Sequence, residues 1–309
     1  MTGHVAPKGD WPRVSAVVAT RNRPALLLEA VIGILGQSYP GELECLVVFD
    51  QSEPVTPDVD IPANRYLRVL ENVRGPGLAG ARNTGIIEAT GMVVAFCDDD
   101  DRWRPEKISR QLELLTRSAV DFVACGIQIH YSDHAIDRMP PERTCFEQLV
   151  RDRVTALHPS TFVFKRSLLD EIGLVDEELP GSHGEDYDLL LRAAGKGPVL
   201  ALQQTLVDVL WHDQSFFAER WQVISEALRY MLAKYPALRS DAAGRARIEA
   251  QIAFAEAALA RRSEAYRFSY RALRGNPVER RAYLALAVAS GVIPAQSIVR
   301  AANRRGRGI

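Results

Sequence analysis

Four aspartates stand side by side at Asp98, Asp99, Asp100 and Asp101, directly after the apolar run Met92-Val93-Val94-Ala95-Phe96-Cys97. Adjacent like charges repel, and a block of them normally belongs to a disordered tail. At the end of a buried strand such a block is tolerable when a divalent cation neutralises it. Hard ions such as Mg²⁺ and Mn²⁺ take oxygen ligands, and Mg²⁺ is commonly held by one or two carboxylates with phosphates and water completing its shell. Asp98-x-Asp100 therefore suits a metal–diphosphate complex. The plain alternative is a solvated acidic loop. A second acidic pair, Glu185-Asp186, opens EDYDLLLRAA (185–194). A carboxylate there could take a proton from an attacking hydroxyl or cap a helix.

These groups need elements to hold them. Short apolar strands are expected at 14–20, 44–50, 65–70 and 92–97, with helices from Pro24 and over 77–89 between them. Continuous apolar strands alternating with helices predict a mostly parallel sheet covered on both faces. Ligands bind such sheets outside the carboxyl ends of the strands, where TRNRP (20–24), Asp50 and Asp98 all fall. Further strands are expected at 121–131 and 161–164, and helices at 167–172 and 185–194. Residues 132–157 are poorly patterned and are expected to form a loop near the site. Beyond residue 215 the strand signals cease, and 221–232, 247–260, 264–273 and 278–289 have amphipathic helical patterns. Ala265, Ala272 and Pro277 have the spacing of half a tetratricopeptide repeat, which by itself supports only a helical C-terminal extension. The expected division is 1–215 and 216–309.

Composition sets the outer limits. The 309 residues are 47% hydrophobic and 25% charged, as in ordinary globular chains. A net charge of −1 gives no global field for nucleic acid, and no nucleic-acid partner is expected. The basic tail from Arg300 to Arg307 is either a solvated end or a weak attachment to anionic lipid. Cys45, Cys97, Cys125 and Cys145 form no CxxC pair, and three lie in apolar segments, as expected for small buried hydrophobes in a reducing compartment. No apolar stretch nears the roughly 20 residues that span a bilayer, and MTGHVAPKGDW lacks an apolar signal core. A cytoplasmic protein is expected, with attachment to the inner face of the membrane as a variant of that expectation.

The aspartate row has company in a fixed order: TRNRP, FDQS (49–52), GLAGARNTGI (77–86), FCDDDDRW (96–103), and finally GEDYDLLLR (184–192). With these five segments the chain resembles a family 2 glycosyltransferase of the GT-A fold over roughly residues 13–215. The resemblance implies inverting transfer of a sugar from a nucleoside-diphosphate sugar, UDP-sugars favoured, to a hydroxyl of a glycan, a lipid-linked glycan or another acceptor. It implies Mn²⁺ or Mg²⁺ as cofactor. Thr20, Arg21 and Asp50 would embrace the nucleoside, although the family often has Tyr where Arg21 stands and Asp where Gln51 stands. Arg82 would meet the diphosphate or pack against the aspartate loop. Asp98 matches the residue on the ribose side, Asp100 the metal ligand, and Asp99 a neighbour of the donor. Asp186 matches the general base, with Glu185 beside it and Asp188 structural. Trp103 would wall the sugar pocket or pack over the following helix, His158 and His183 would face the acceptor, and His212 in WHDQSF would reach metal or phosphate. The C-terminal helices would cover the catalytic domain, dock a partner, form a homodimer or rest on a membrane. Other readings are a nucleotidyltransferase, a metal-dependent phosphohydrolase or an inactive nucleotide-sugar-binding module of the same fold. TRNRP is not the glycine- and lysine-bearing phosphate loop that the nucleotidyltransferase requires.

Overall fold

A computed structural model gives the placement of residues 11–131, 134–210 and 220–304. The expected alternation is present. β1 (Val14–Thr20) is a β-branched run buried almost throughout. It leads into α1 (Pro24–Leu35), where proline occupies the first turn at no hydrogen-bonding cost. β2 (Leu43–Phe49) is wholly buried. β3 (Arg65–Glu71), α2 (Leu78–Glu88), β4 (Val93–Asp98) and the short β5 (Asp101–Trp103) follow, then α3 (Lys107–Arg117) and β6 (Phe122–His130).

The stretch expected to be an irregular loop holds β7 (Ala135–Arg138), β8 (Arg143–Thr144) and α4 (Phe146–Arg151). These elements are too short to show a period. β7 exists because β6 offers it an antiparallel edge, and α4 is started by a local cap in which the Cys145 N–H donates to Gln148 Oε1 at 2.8 Å. β9 (Val163–Lys165), α5 (Arg166–Ile172), α6 (Glu185–Ala194) and β10 (Val199–Leu210) complete the mixed part. Helices then run to the end of the described chain: α7 (Trp221–Lys234), α8 (Pro236–Ser240), α9 (Ala242–Ala258), α10 (Arg262–Gly275), α11 (Arg280–Ala289) and α12 (Ala295–Arg304).

The sheet order is β3-β2-β1-β4-β9-β6-β10-β5. β3, β2, β1 and β4 are mutually parallel. β9 inserts antiparallel between β4 and β6, and β6 is parallel to β10. In the parallel block Thr20 is level with Phe49, and Ala19 with Asp98. That register delivers TRNRP, Asp50 and the aspartates to one edge.

The described chain divides into two compact units, and it crosses between them several times instead of once near residue 215. One comprises 11–143, 155–175 and 197–210; the other 144–154, 176–196 and 220–304. The first contains the sheet, and a core drawn from β1, β2, β4 and β6 packs there with α1 and α3. In the second, α9, α10 and α11 meet through small residues. Ala246 and Ala250 pack with Ala272 and Ala282, and Ala257 packs with Ala265 and Ala289. The pairing makes α10 antiparallel to α9, so Ala265 and Ala272, read from spacing alone, are contact residues. No helix among the described residues is long and apolar enough to cross a membrane.

One core residue is costly. Lys107 is fully buried, its ammonium lies 3.8 Å from the centre of the Trp103 ring, and Nζ finds no hydrogen-bond acceptor among the described residues. Burial holds its pKa down to about 8. Below that pH the fold carries a buried charge. Between pH 8 and the unfolded value of 10.5 the unfolded chain binds the extra proton, so this contribution to stability rises with pH. Lys107→Met is therefore expected to stabilise the protein at pH 7 by about 1–3 kcal/mol, the lower figure applying if the Trp103 contact offsets much of the desolvation. The difference from wild type should narrow towards pH 10 in denaturant titrations. A gap that stays constant with pH would refute this account.

Candidate active site

The four aspartates are not equivalent. The side chains of Asp98 and Asp100 are 27% and 22% exposed, whereas those of Asp99 and Asp101 are 9% and 2% exposed. β4 ends at Asp98 and β5 begins at Asp101, so Asp99 and Asp100 form the turn between the two strands. Asp99 turns inward to accept from Thr20 Oγ1 at 2.7 Å. Burial pushes its pKa up to about 6, with Asp100 and Asp98 adding to the rise and Thr20 and Arg23 opposing it. Asp101 accepts from Ser160 Oγ, and its Oδ2 lies 3.3 Å from His158 Nδ1. Burial and the other three carboxylates raise its pKa well above the usual range. Mutual repulsion is thus limited by disfavouring charge on the two inner members.

Two arginines balance the row. Arg82, buried on α2 against the Phe96 ring, holds Asp98 Oδ1 at 2.5 Å. Of the two expectations for Arg82, the structure displays packing against the aspartate loop. Arg23 Nη1 bridges Asp99 Oδ1 at 3.2 Å and Asp100 Oδ2 at 2.9 Å. Arg23 was not singled out in the sequence, although TRNRP contains it and proximity to Asp100 follows from the β1–β4 register. Arg21 is exposed and has no hydrogen bond or ion pair among the described residues.

Asp50 anchors the glycine-rich segment. Its Oδ1 accepts from the Gly77 N–H at 3.0 Å and from Asn72 Nδ2 at 2.9 Å, and its Oδ2 from Gln51 Nε2 at 2.9 Å. Gly77 has φ 120°, a conformation that glycine alone adopts readily. At Gly80 an added Cβ would lie 1.8 Å from the Gly75 carbonyl oxygen. GPGLAG is therefore a tightly wound entry to α2. Asn83 closes the far side through paired 2.8 Å bonds with the Val175 backbone.

Trp103 does not wall a pocket. It is buried in the core, with its indole N–H donating to the Ser160 carbonyl at 3.0 Å and Lys107 over its face. Aromatic character beside an acidic motif could not reveal this; pairing of β5 with β10 turns the ring inward. His158 lies against the aspartates: one donor atom from each of Asp98, Asp101 and His158 falls within a 4.8 Å cluster. Asp100 is not a member of that cluster. His212 lies outside the described residues.

In the second unit, Gly184 caps α6 in the left-handed region at φ 83°, which explains the glycine of GEDYD, and no side chain caps the helix. Asp186 is thus not the cap; its Oδ2 accepts from Arg153 Nη2 at 2.6 Å. Burial works against charge on Arg153, and Asp186 more than offsets it, so the guanidinium titrates above its usual range. His183 is pushed down to about 4 by burial and by Arg153, so it is neutral near pH 7. Glu185 is buried. Asp188 is structural, as expected: it holds Arg192, Lys234 and Tyr235. Arg153 lies in the poorly patterned stretch, where nothing in the sequence linked it to Asp186.

This arrangement has known counterparts. The family model for glycosyl transferase family 2 matches residues 15–173, from β1 through α5. An uncharacterized glycosyltransferase of Bacillus subtilis, YwdF, is 31% identical over 190 residues, covering 59% of this chain and 68% of the relative. The Escherichia coli UDP-Glc:alpha-D-GlcNAc-diphosphoundecaprenol beta-1,3-glucosyltransferase WfgD is 26% identical over 180 residues, covering 58% and 68%. Among solved structures, residues 1–349 of Staphylococcus aureus TarS in complex with UDP-GlcNAc superpose with a TM-score of 0.59 at 16% identity, covering 96% of this chain and 92% of that one. That likeness places the sheet and its helices in the GT-A fold. With β1, the GLAGARNTG helix and the aspartate strand end all inside the matched region, the chain belongs to glycosyl transferase family 2 and is a glycosyltransferase.

Proposed function

We propose that the enzyme transfers a sugar, with inversion at the anomeric carbon, from a nucleoside-diphosphate sugar to a hydroxyl of a glycan or lipid-linked glycan. UDP-sugars are the favoured donors. The observation that carries this reading is the alternation along the aspartate row. Asp98 and Asp100 are partly exposed at the carboxyl edge of the sheet, each paired with an arginine, while Asp99 and Asp101 are internal. WfgD, whose name gives a UDP-Glc donor and a diphosphoundecaprenol-linked acceptor, supports the donor and acceptor classes. A cytoplasmic location fits the same reading.

The oxygen-rich donor set suits Mn²⁺ or Mg²⁺. Asp98 and Asp100 would hold the ion, with His158 at the same edge. When bound, it would stabilise charge developing on the leaving diphosphate. Arg82 and Arg23 keep the carboxylates balanced, and Thr20 and Asp50 shape the nucleoside end. The acceptor oxygen bonds to the anomeric carbon as the bond from that carbon to the diphosphate oxygen breaks. The hydroxyl proton passes to the carboxylate of Asp186, held ready by Arg153. Neutral His183 and Glu185 lie beside it in the chain and would orient the acceptor.

Calorimetric titration with a panel of nucleoside diphosphates, with Mn²⁺ or with chelator, tests this. One nucleotide is expected to bind, and only with the metal. No binding by any nucleotide under either condition would count against it. The bridging position of Arg23 adds a second expectation. Its guanidinium competes with a cation for Asp100, so Arg23→Met should bind Mn²⁺ alone several-fold more tightly, about 1 kcal/mol of removed repulsion. Paramagnetic titration of free Mn²⁺ measures this, and unchanged or weaker binding would show that Arg23 is no competitor.

A further inference from the structure

The near-zero net charge conceals two opposite halves. Residues 1–215 carry 21 Lys and Arg against 32 Asp and Glu, whereas 216–309 carry 17 against 7. The asymmetry lies along the sequence: 144–154 and 176–196, which belong to the helical unit, bring it 8 Asp and Glu against 4 Lys and Arg, so its basic excess resides in the C-terminal helices.

The basic part displays an ordered face. On α10 the exposed residues Ser263, Tyr266, Arg267, Tyr270, Arg271 and Arg274 follow the spacing of one helical stripe, and the opposite side, Ala265, Phe268, Ser269 and Ala272, is buried. No acidic residue lies on the stripe. Arg267 and Arg271 are partly neutralised, by Glu264 at 2.5 Å and by Glu249 at 2.6 Å. Arg262 and Arg274 are exposed and have no ion pair among the described residues. Aliphatic side chains stand exposed at both ends. Val278 follows the last turn of α10, and Val292 follows Gly291, whose built Cβ would lie 4.0 Å from Arg262 Nη2.

Exposed tyrosines among arginines, flanked by exposed valines, match the chemistry of a lipid headgroup layer. Aromatic rings with a polar tip settle at the interface, arginines meet anionic headgroups, and a helix with one such face lies in the plane of the surface. We infer that the α10 face, with the turns on either side of it, docks on an anionic membrane surface. The complementarity is of charge: Arg262, Arg267, Arg271 and Arg274 on this face would meet a negatively charged leaflet. The proposal rests on this face alone and is independent of the donor-site reading.

The test is sedimentation of the full chain with vesicles. Binding is expected to phosphatidylcholine containing about 30% phosphatidylglycerol, to be much weaker to phosphatidylcholine alone, and to fall as salt is raised to about 0.5 M. Basic residues near such a surface contribute about 1 kcal/mol each, or about fivefold in partitioning. Arg262→Glu/Arg274→Glu should therefore lower partitioning by more than about tenfold. Tyr266→Ser/Tyr270→Ser should lower it several-fold while preserving the salt dependence. All four residues are exposed, so both variants should keep the wild-type circular dichroism and melting curve. No binding to anionic vesicles, or wild-type binding by the charge variant, overturns the proposal. Wild-type vesicle binding by the tyrosine variant overturns the placement of the rings in the headgroup layer and leaves a contact by charge alone.

Discussion

Asp186→Asn is expected to lower turnover by about 10²–10⁴-fold, the range that a positioned general base contributes. Metal-dependent nucleotide affinity should remain unchanged. Asparagine keeps the shape and still offers an oxygen to Arg153, so a large structural loss is not expected. What it lacks is a basic lone pair of carboxylate strength. The ion pair with Arg153 Nη2 at 2.6 Å holds this carboxylate in place and ionised, at some expense of its basicity. Arg153→Met should consequently move the acid limb of the pH–rate profile to higher pH, with the plateau rate lowered less than in Asp186→Asn. Single-turnover kinetics and nucleotide calorimetry on both variants separate chemistry from binding. If Asp186→Asn turns over at the wild-type rate, the base lies elsewhere. If it loses nucleotide binding in step with turnover, the residue supports the donor site and is not the base.

The sequence was most legible where local pattern and tertiary outcome agree. Val14 to Thr20 could only be a buried strand, and Pro24 marked a helix start. The α6 pattern began at Glu185 and ended at Ala194, as it does in the structure. The aspartate row was legible as an oddity, a charge block where the hydrophobic pattern demanded burial. Its resolution was not legible, because the choice of inner and outer members depends on partners far away in the chain. Thr20 reaches Asp99 across 79 positions, and Ser160 reaches Asp101 across 59. A separation of 33 positions likewise hid Arg153 from Asp186. Trp103 was left open between two readings for a related reason. A tryptophan after an acidic motif could wall a pocket or pack the core, and pairing of β5 with β10 selected the core. The placement of 144–154 and 176–196 with the helical unit likewise depends on packing that no linear boundary conveys.

Asp100→Ala is expected to abolish metal-dependent nucleotide binding, weakening it by more than about 100-fold, since even outer supports of metal ligands are worth about 10–100-fold. The comparison that makes this informative is Asp101→Asn. Asp101 is buried, accepts from Ser160, and has its charged form strongly disfavoured. A neutral amide in its place changes little in net charge, and nucleotide affinity should remain within a few-fold of wild type, a change of under about 1 kcal/mol. Asp98→Ala should fall between these limits for the metal, because Arg82 already holds one of its oxygens. It should also remove the ion pair of the buried Arg82, with a loss of stability of about 1–3 kcal/mol visible in thermal unfolding. The three variants thus predict a graded pattern along the row, with the large loss of binding at Asp100, an intermediate one at Asp98 and a small one at Asp101. Should Asp101→Asn lose binding and Asp100→Ala keep it, the ion would belong to the cluster of Asp98, Asp101 and His158. The inward-facing member would then have to ionise on metal binding, and affinity should climb steeply with pH through the carboxylate range. Equal loss at all three positions would mean that the row acts through summed negative potential and not through individual ligands.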